Sequence, residues 1–193
     1  MLFGGTFDPV HNAHLAVARA TLLRFQPRRI LFVPAARPPH KEGGAHASFE
    51  DRLRMLQVAC ADEPAFGVSA IERPEGRGHS PSYSILTIEK LLAAGEGPLW
   101  FLIGADAFAE IRSWHRWRDV ASLVEFIVVT RPGAVYSIPQ GAVVHELSGL
   151  ELPESSSAVR ALLESGRDDV PVPAAVLAWI RTRGLYPAAS HKS

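Results

Sequence analysis

"LFGGTFDPVHNAHL", Leu2 to Leu15, decides the architecture. A short apolar run meets Gly4 and Gly5, then a turn, then two histidines three apart, His11 and His14, where an apolar helix begins. A strand that passes straight into a helix is the opening unit of a parallel α/β sheet. The glycines let backbone approach a ligand closely. The helix start offers free N–H groups and the positive end of its dipole, which suit a phosphate. Spaced by three, His11 and His14 share a face of the first turn, so both can donate to one anion. The spacing is not that of a GxGxxG dinucleotide fingerprint.

The rest of the chain repeats the alternation. "AHLAVARATLLRF" reads as a helix stopped near Pro27, and "RILFVP" as a strand ended by Pro34. After the loop "ARPPHKEGGAHA", Ser48 caps a helix to about Ala61, with Asp51 three residues on as in a capping box. "FGVSAIER" reads as a strand or strand pair. Ser80-Pro81 is a capping residue followed by proline, predicting a helix from there to Gly95. "LWFLIG" is a buried strand, "ADAFAEI" a short helix, "SWHRW" a bend, "FIVVTRPG" a strand and stop, and Val143–Glu146 a last strand. "SSSAVRALLESG" is a capped helix, and "PAAVLAWIRTRGLY" a closing helix ended at Gly184, with a frayed tail after about residue 187.

The bulk numbers set bounds. The 193 residues are enough for one domain with a sizeable core, and 47% hydrophobic content argues against disorder. The formal net charge is zero, which gives no reason to expect a nucleic-acid partner. Cys60 is the single cysteine, so a reducing compartment fits. The N-terminus lacks the pattern of a secretory signal, and no apolar run of the ~20 residues needed to span a bilayer exists, so no membrane partner and a cytoplasmic location are expected. A homo-oligomer is left open.

Leu2–Leu15 resembles the first signature of the nucleotidyltransferase superfamily, whose members usually carry His-x-Gly-His; Ala13 stands in the glycine's place. Ser155-Ser156-Ser157-Ala158-Val159-Arg160 is similar to the superfamily's later Ser-Ser-Thr-x-Ile-Arg segment. Further stretches resemble bacterial nicotinate-nucleotide adenylyltransferases: "PPHK" (38–41), "SPSYS" (80–84), "GAD" (104–106), "SWHRW" (113–117), "TRPG" (130–133) and the ending "VP…IRTRGLY". Each string is short, but their order and spacing cover nearly the whole chain. Leu86 departs from the family's usual acidic residue, and Glu154 from a frequent apolar one.

The resemblance implies a Rossmann-like, doubly wound parallel sheet with helices on both faces and a helical C-terminal end. It implies adenylyl transfer from ATP to nicotinate mononucleotide, giving deamido-NAD and pyrophosphate in NAD biosynthesis. His11, His14 and Arg160 would be catalytic, the histidines on the α-phosphoryl charge and Arg160 on the β- and γ-phosphates. Gly4, Gly5, Thr6, Phe7, Gly104, Asp106, Ser156 and Ser157 would bind ATP, with Asp106 on a ribose hydroxyl. His40, Lys41, Ser82, Tyr83, Ser84, Trp114 and Arg131 would bind the acceptor. Trp114 suits a flat ring, and the helix start at 80–84 suits a carboxylate. Mg²⁺ would come with ATP, with no protein metal ligands. The rival readings are an enzyme that takes the nicotinamide mononucleotide or both, a pantetheine-phosphate adenylyltransferase, and a nucleotide-binding regulatory module without turnover.

Overall fold

Alternation along each strand sorts side chains onto two faces of one sheet. In the first strand Leu2 faces one side and Phe3 the other; in the second, Leu31 and Val33 oppose Ile30 and Phe32. The computed structural model describes residues 1–37, 44–74, 81–131 and 133–188. In chain order it contains β1 (Leu2–Gly5), α1 (Asn12–Phe25), β2 (Ile30–Pro34), α2 (Phe49–Cys60), β3 (Phe66–Val68), α3 (Ser84–Ala93), β4 (Leu99–Gly104) and α4 (Ala105–Ala109). A 3₁₀ turn (Ile111–Ser113), α5 (Trp117–Leu123), β5 (Val124–Val129), β6 (Val143–Leu147), α6 (Ser156–Glu164) and α7 (Ala174–Arg183) follow.

All pairings are parallel, in the order β3-β2-β1-β4-β5-β6. Strand order reverses between β1 and β4, and in such sheets ligands bind beyond the carboxyl ends of the strands at that point. One core packs α1, α2, α6 and α7 against Phe3, Ile30, Phe32, Leu102 and Ile127. The other packs α3, α4 and α5 against Leu2, Leu31, Phe101, Ile103 and Phe126. The doubly wound expectation and the helical C-terminal end are both met. Among the described residues no helix is long and apolar enough to cross a membrane.

Three local expectations are corrected. The helix expected from Ser80-Pro81 starts at Ser84, with Tyr83 as its N-cap. Ser82 explains the delay: its N–H donates to the Arg37 carbonyl and its Oγ accepts from the Arg37 N–H, each at 2.9 Å, which holds the chain out of the helix past Pro81. The "SWHRW" bend contains the start of α5, whose seven residues are too few for a clear helical period. The "FGVSAIER" strand is only the three residues of β3.

Candidate active site

Chain reversal after β1 exposes carbonyls that neither sheet nor helix can pair, so other elements must supply donors. Arg52 of α2 donates to the Thr6 carbonyl at 2.7 Å, Arg160 of α6 to that of Asp8 at 2.6 Å, and the Ser156 hydroxyl to that of Pro9 at 3.0 Å. Arg52 is fully buried and also holds the Ala35 carbonyl at 2.8 Å. The Asp8 carboxylate, itself buried, accepts from the N–H groups of His46 and Ala47 at 2.7 and 3.0 Å and from the Tyr186 hydroxyl at 2.7 Å. Burial pushes Asp8 up, but the bonds from Tyr186, His46 and Ala47 and the Arg160 charge outweigh it, holding the carboxyl below its ordinary range.

The ring of Phe7, which the resemblance assigns to ATP, is buried among Phe3, Phe32 and His14, so the side chain packs the core. Its backbone lies at φ +49°, rare for a bulky residue and held here by that packing. A Cβ on Gly5 would come within 2.9 Å of the Phe7 ring, so the fold itself requires glycine at that position.

His11 is the N-cap of α1 and His14 lies three residues in, with ring centroids 3.8 Å apart. The His11 backbone N–H donates to His14 Nδ1 at 3.2 Å, which leaves the proton of a neutral ring on Nε2. Burial, reinforced by the Arg131 charge, lowers His11 to about 4. At that value the His11 ring of the unliganded chain is neutral at pH 7. Its Nδ1 is buried, makes no hydrogen bond of good geometry among the described residues, and faces the His14 backbone N–H as in a capping box. One expected donor is already used: the N–H of Asn12, first in the helix, bonds the Pro171 carbonyl at 2.9 Å.

The sign of the His11 shift gives a pH prediction. Between pH 6.5 and about 4 the unfolded chain binds a proton at this site that the folded chain excludes, so stability falls as pH is lowered through that window. The Asp8 contribution is lost only below it, as pH drops through a carboxyl already depressed from 3.8. The thermal midpoint should be roughly 5 °C lower at pH 4.5 than at pH 7.5. The drop should shrink in His11→Asn; an equal drop in that variant would place its origin elsewhere.

Two clefts meet at Gly4. The first, about 320 Å³, is lined by His11, His14, Gly104, Asp106, Arg131 and Ser156, among others. The second, about 310 Å³, is lined by Gly5, Thr6, Ser82, Tyr83, Ser84 and Trp114, again among others. Gly4 lines both. Expected groupings change accordingly. Arg131, expected on the acceptor, lines the histidine cleft, whereas Gly5 and Thr6, expected on ATP, line the tryptophan cleft. Ser157 is exposed, bonded to Ser155 Oγ at 3.1 Å, and is not among the lining residues. Nor is Arg160, whose side chain is only 13% exposed and grips the Asp8 carbonyl. His40 and Lys41 lie outside the described residues.

Several residues of this region carried no expectation. Glu72 lines the tryptophan cleft and accepts from Thr87 Oγ1 at 2.5 Å and the Ala36 N–H at 3.2 Å. His115 stacks on Tyr83 at 4.4 Å at the same cleft. For Arg52 a signal existed: Phe49, Arg52, Leu53 and Leu56 form one apolar stripe at helical spacing, broken by a charge. For Asp8 and Tyr186 none did.

A family model described as cytidylyltransferase-like matches residues 2–162. A probable nicotinate-nucleotide adenylyltransferase of Solibacter usitatus is 53% identical over 188 residues, 96% of this chain and 97% of the relative. One of Geotalea uraniireducens is 36% identical, covering 96% of each. The solved nicotinic acid mononucleotide adenylyltransferase of Plasmodium falciparum, complexed with NaAD, superimposes with a TM-score of 0.73 over 96% of this chain and 95% of that one. Its identity is 19%, so it speaks for the fold.

Proposed function

The chain belongs to the cytidylyltransferase-like family, and from that premise we propose that it transfers the adenylyl group of ATP to the 5′-phosphate of nicotinate mononucleotide. The products are deamido-NAD and pyrophosphate, in NAD biosynthesis. The observation that carries this reading is the pair of clefts meeting at a residue without a side chain: a histidine cleft for the triphosphate and a tryptophan cleft for a flat ring.

The acceptor phosphate attacks the α-phosphorus in line and pyrophosphate leaves on the opposite side. The nucleophile is already an anion, so no covalent enzyme intermediate is required. Catalysis then rests on positioning and on donors aimed at developing charge. His14 Nε2–H and the His11 ring supply donors at the α-phosphoryl group. Arg131 lies beside them as a fixed positive charge. Asp106, in the first turn of α4, takes a ribose hydroxyl. Arg160 does not line the cleft and commits one donor to the Asp8 carbonyl; the remaining donors of its planar fork would take β- and γ-phosphate oxygens. Mg²⁺ bound with ATP would supply neutralisation of the triphosphate charge, and Glu154, the carboxylate lining that cleft besides Asp106, would face its water shell.

On the acceptor side Trp114 stacks on the pyridine ring, and the start of α3 meets the ring's carboxylate. The N–H groups of Ser84 and Ile85 belong to that helix's first turn and point away from its own ladder. A carboxylate accepts from donors on both oxygens, whereas an amide turns its NH₂ toward them. A buried unpaired donor costs ~1–3 kcal/mol, so kcat/KM should favour the acid over the nicotinamide mononucleotide by about tenfold or more. Trp114→Ala should weaken both acceptors with their ratio unchanged, since both rings stack. A coupled pyrophosphate assay with ATP and each mononucleotide tests the function and the preference together. Nucleotide binding without pyrophosphate release would reject the function, and equal kcat/KM values would reject the helix-start argument.

A further inference from the structure

Within this adenylyl-transfer reading, we propose that Tyr186 is a positioning residue for the reaction: its phenol holds Asp8, and through Asp8 the turn that presents His11 and His14. Tyr186 lies 178 residues from Asp8 in sequence, yet its hydroxyl donates to Asp8 Oδ1 at 2.7 Å. Tyr186 is 7% exposed and packs in the core that contains Phe7, Val10 and Leu15. Its backbone sits at φ +51°, left-handed and rare for an aromatic residue, one position after Leu185 closes the end of α7. A conformation of that kind persists where surrounding contacts over-determine it, and such residues cluster at functional sites.

Asp8 ties three segments to its own turn. Its carboxylate takes Tyr186 from the C-terminal end and His46 and Ala47 from the approach to α2, while its carbonyl takes Arg160 from α6. Only Pro9 and Val10 separate it from His11. Without the phenol, Oδ1 keeps one donor among the described residues, from Ala47, on a carboxylate that is fully buried. The turn then relaxes, carrying the Arg160 grip and the histidine rings with it. A displacement of about 1 Å is enough to cost up to 10² in rate. The tryptophan cleft meets the start of that turn at Gly5 and Thr6 but is built mainly on α3 and Trp114, so the loss falls first on the histidine cleft.

The test is Tyr186→Phe, which keeps the ring and removes one oxygen, beside Arg183→Ala. The latter breaks the 3.1 Å Arg183–Asp51 pair that ties α7 to α2 without touching Asp8. ATP binding is measured by calorimetry, whose stoichiometry counts folded sites, and turnover is expressed per folded site. Tyr186→Phe should lower kcat about tenfold and weaken ATP several-fold, with the KM for nicotinate mononucleotide unchanged. Arg183→Ala should lower the thermal midpoint with kcat and both KM values unchanged. If Tyr186→Phe only lowers the midpoint or the folded fraction, with kcat per site and ATP affinity as in wild type, Tyr186 is structural and the proposal falls. A wild-type chain that binds ATP but releases no pyrophosphate would reject the function, and the calorimetric comparison would still decide whether Tyr186 shapes the nucleotide cleft.

Discussion

His14→Ala should cut kcat by 10²–10³ while the chain still folds. The reason is preorganisation. His14 Nδ1 is occupied by the His11 N–H at 3.2 Å, so Nε2–H is the donor and its direction is set before substrate arrives. The ring is further oriented by the Phe7 edge at 5.0 Å and by the His11 ring at 3.8 Å. Alanine removes that donor and also leaves the His11 N–H without its acceptor. Loss of a helix-end partner of this kind costs ~1 kcal/mol, a few degrees in midpoint for a chain of this size. Single-turnover pyrophosphate release at a temperature well below the midpoint separates the two effects. A folded variant within a few-fold of wild type would remove His14 from the chemistry.

Gly4→Ala should leave stability almost unchanged and still lower kcat/KM by about 10². A Cβ on Gly4 would meet Phe101 ring atoms at 3.6 and 3.7 Å, ordinary contact distances, and φ there is not positive. Nothing in the protein therefore demands glycine at this position. Its value lies in the space it leaves where the two clefts meet. The added methyl would project on the Phe101 side, into the tryptophan cleft, across the path proposed for the attacking phosphate. The contrast with Gly5→Ala makes the test sharp. There the Cβ would sit 2.9 Å from a buried ring, so that variant should lose stability first. Thermal midpoints and acceptor KM values for both variants decide the matter. A fully active Gly4→Ala would show that the ligands do not cross at β1.

The parts of the fold legible in sequence were those with strong punctuation. α1 ends at the left-handed Gln26 before Pro27; α2 begins at Ser48, whose Oγ accepts the Asp51 N–H at 3.1 Å; α7 ends at Gly184 with φ +59°. Each signal acts within one turn of chain. α5 escaped because seven residues carry barely two turns of pattern, and the start of α3 was misplaced because a partner 45 residues away, Arg37, decides it.

The candidate site divides in the same way. The histidine pair could be read directly, because a separation of three residues at a helix start dictates adjacency whatever the rest of the chain does. The Ser-Ser-Ser…Arg segment could be found, but not that Ser156 and Arg160 would grip the carbonyls of Pro9 and Asp8 across about 150 residues. Local sequence determined the alternation of strands and helices, the strand-to-helix turn and the histidine spacing, all set by short-range backbone geometry. Only the tertiary structure decided which cleft each residue faces, why Gly5 and not Gly4 is demanded by packing, and that Tyr186 closes on Asp8. Those outcomes depend on strand order and on buried polar groups finding partners, and a carboxylate excluded from water takes its donors wherever the packed chain brings them.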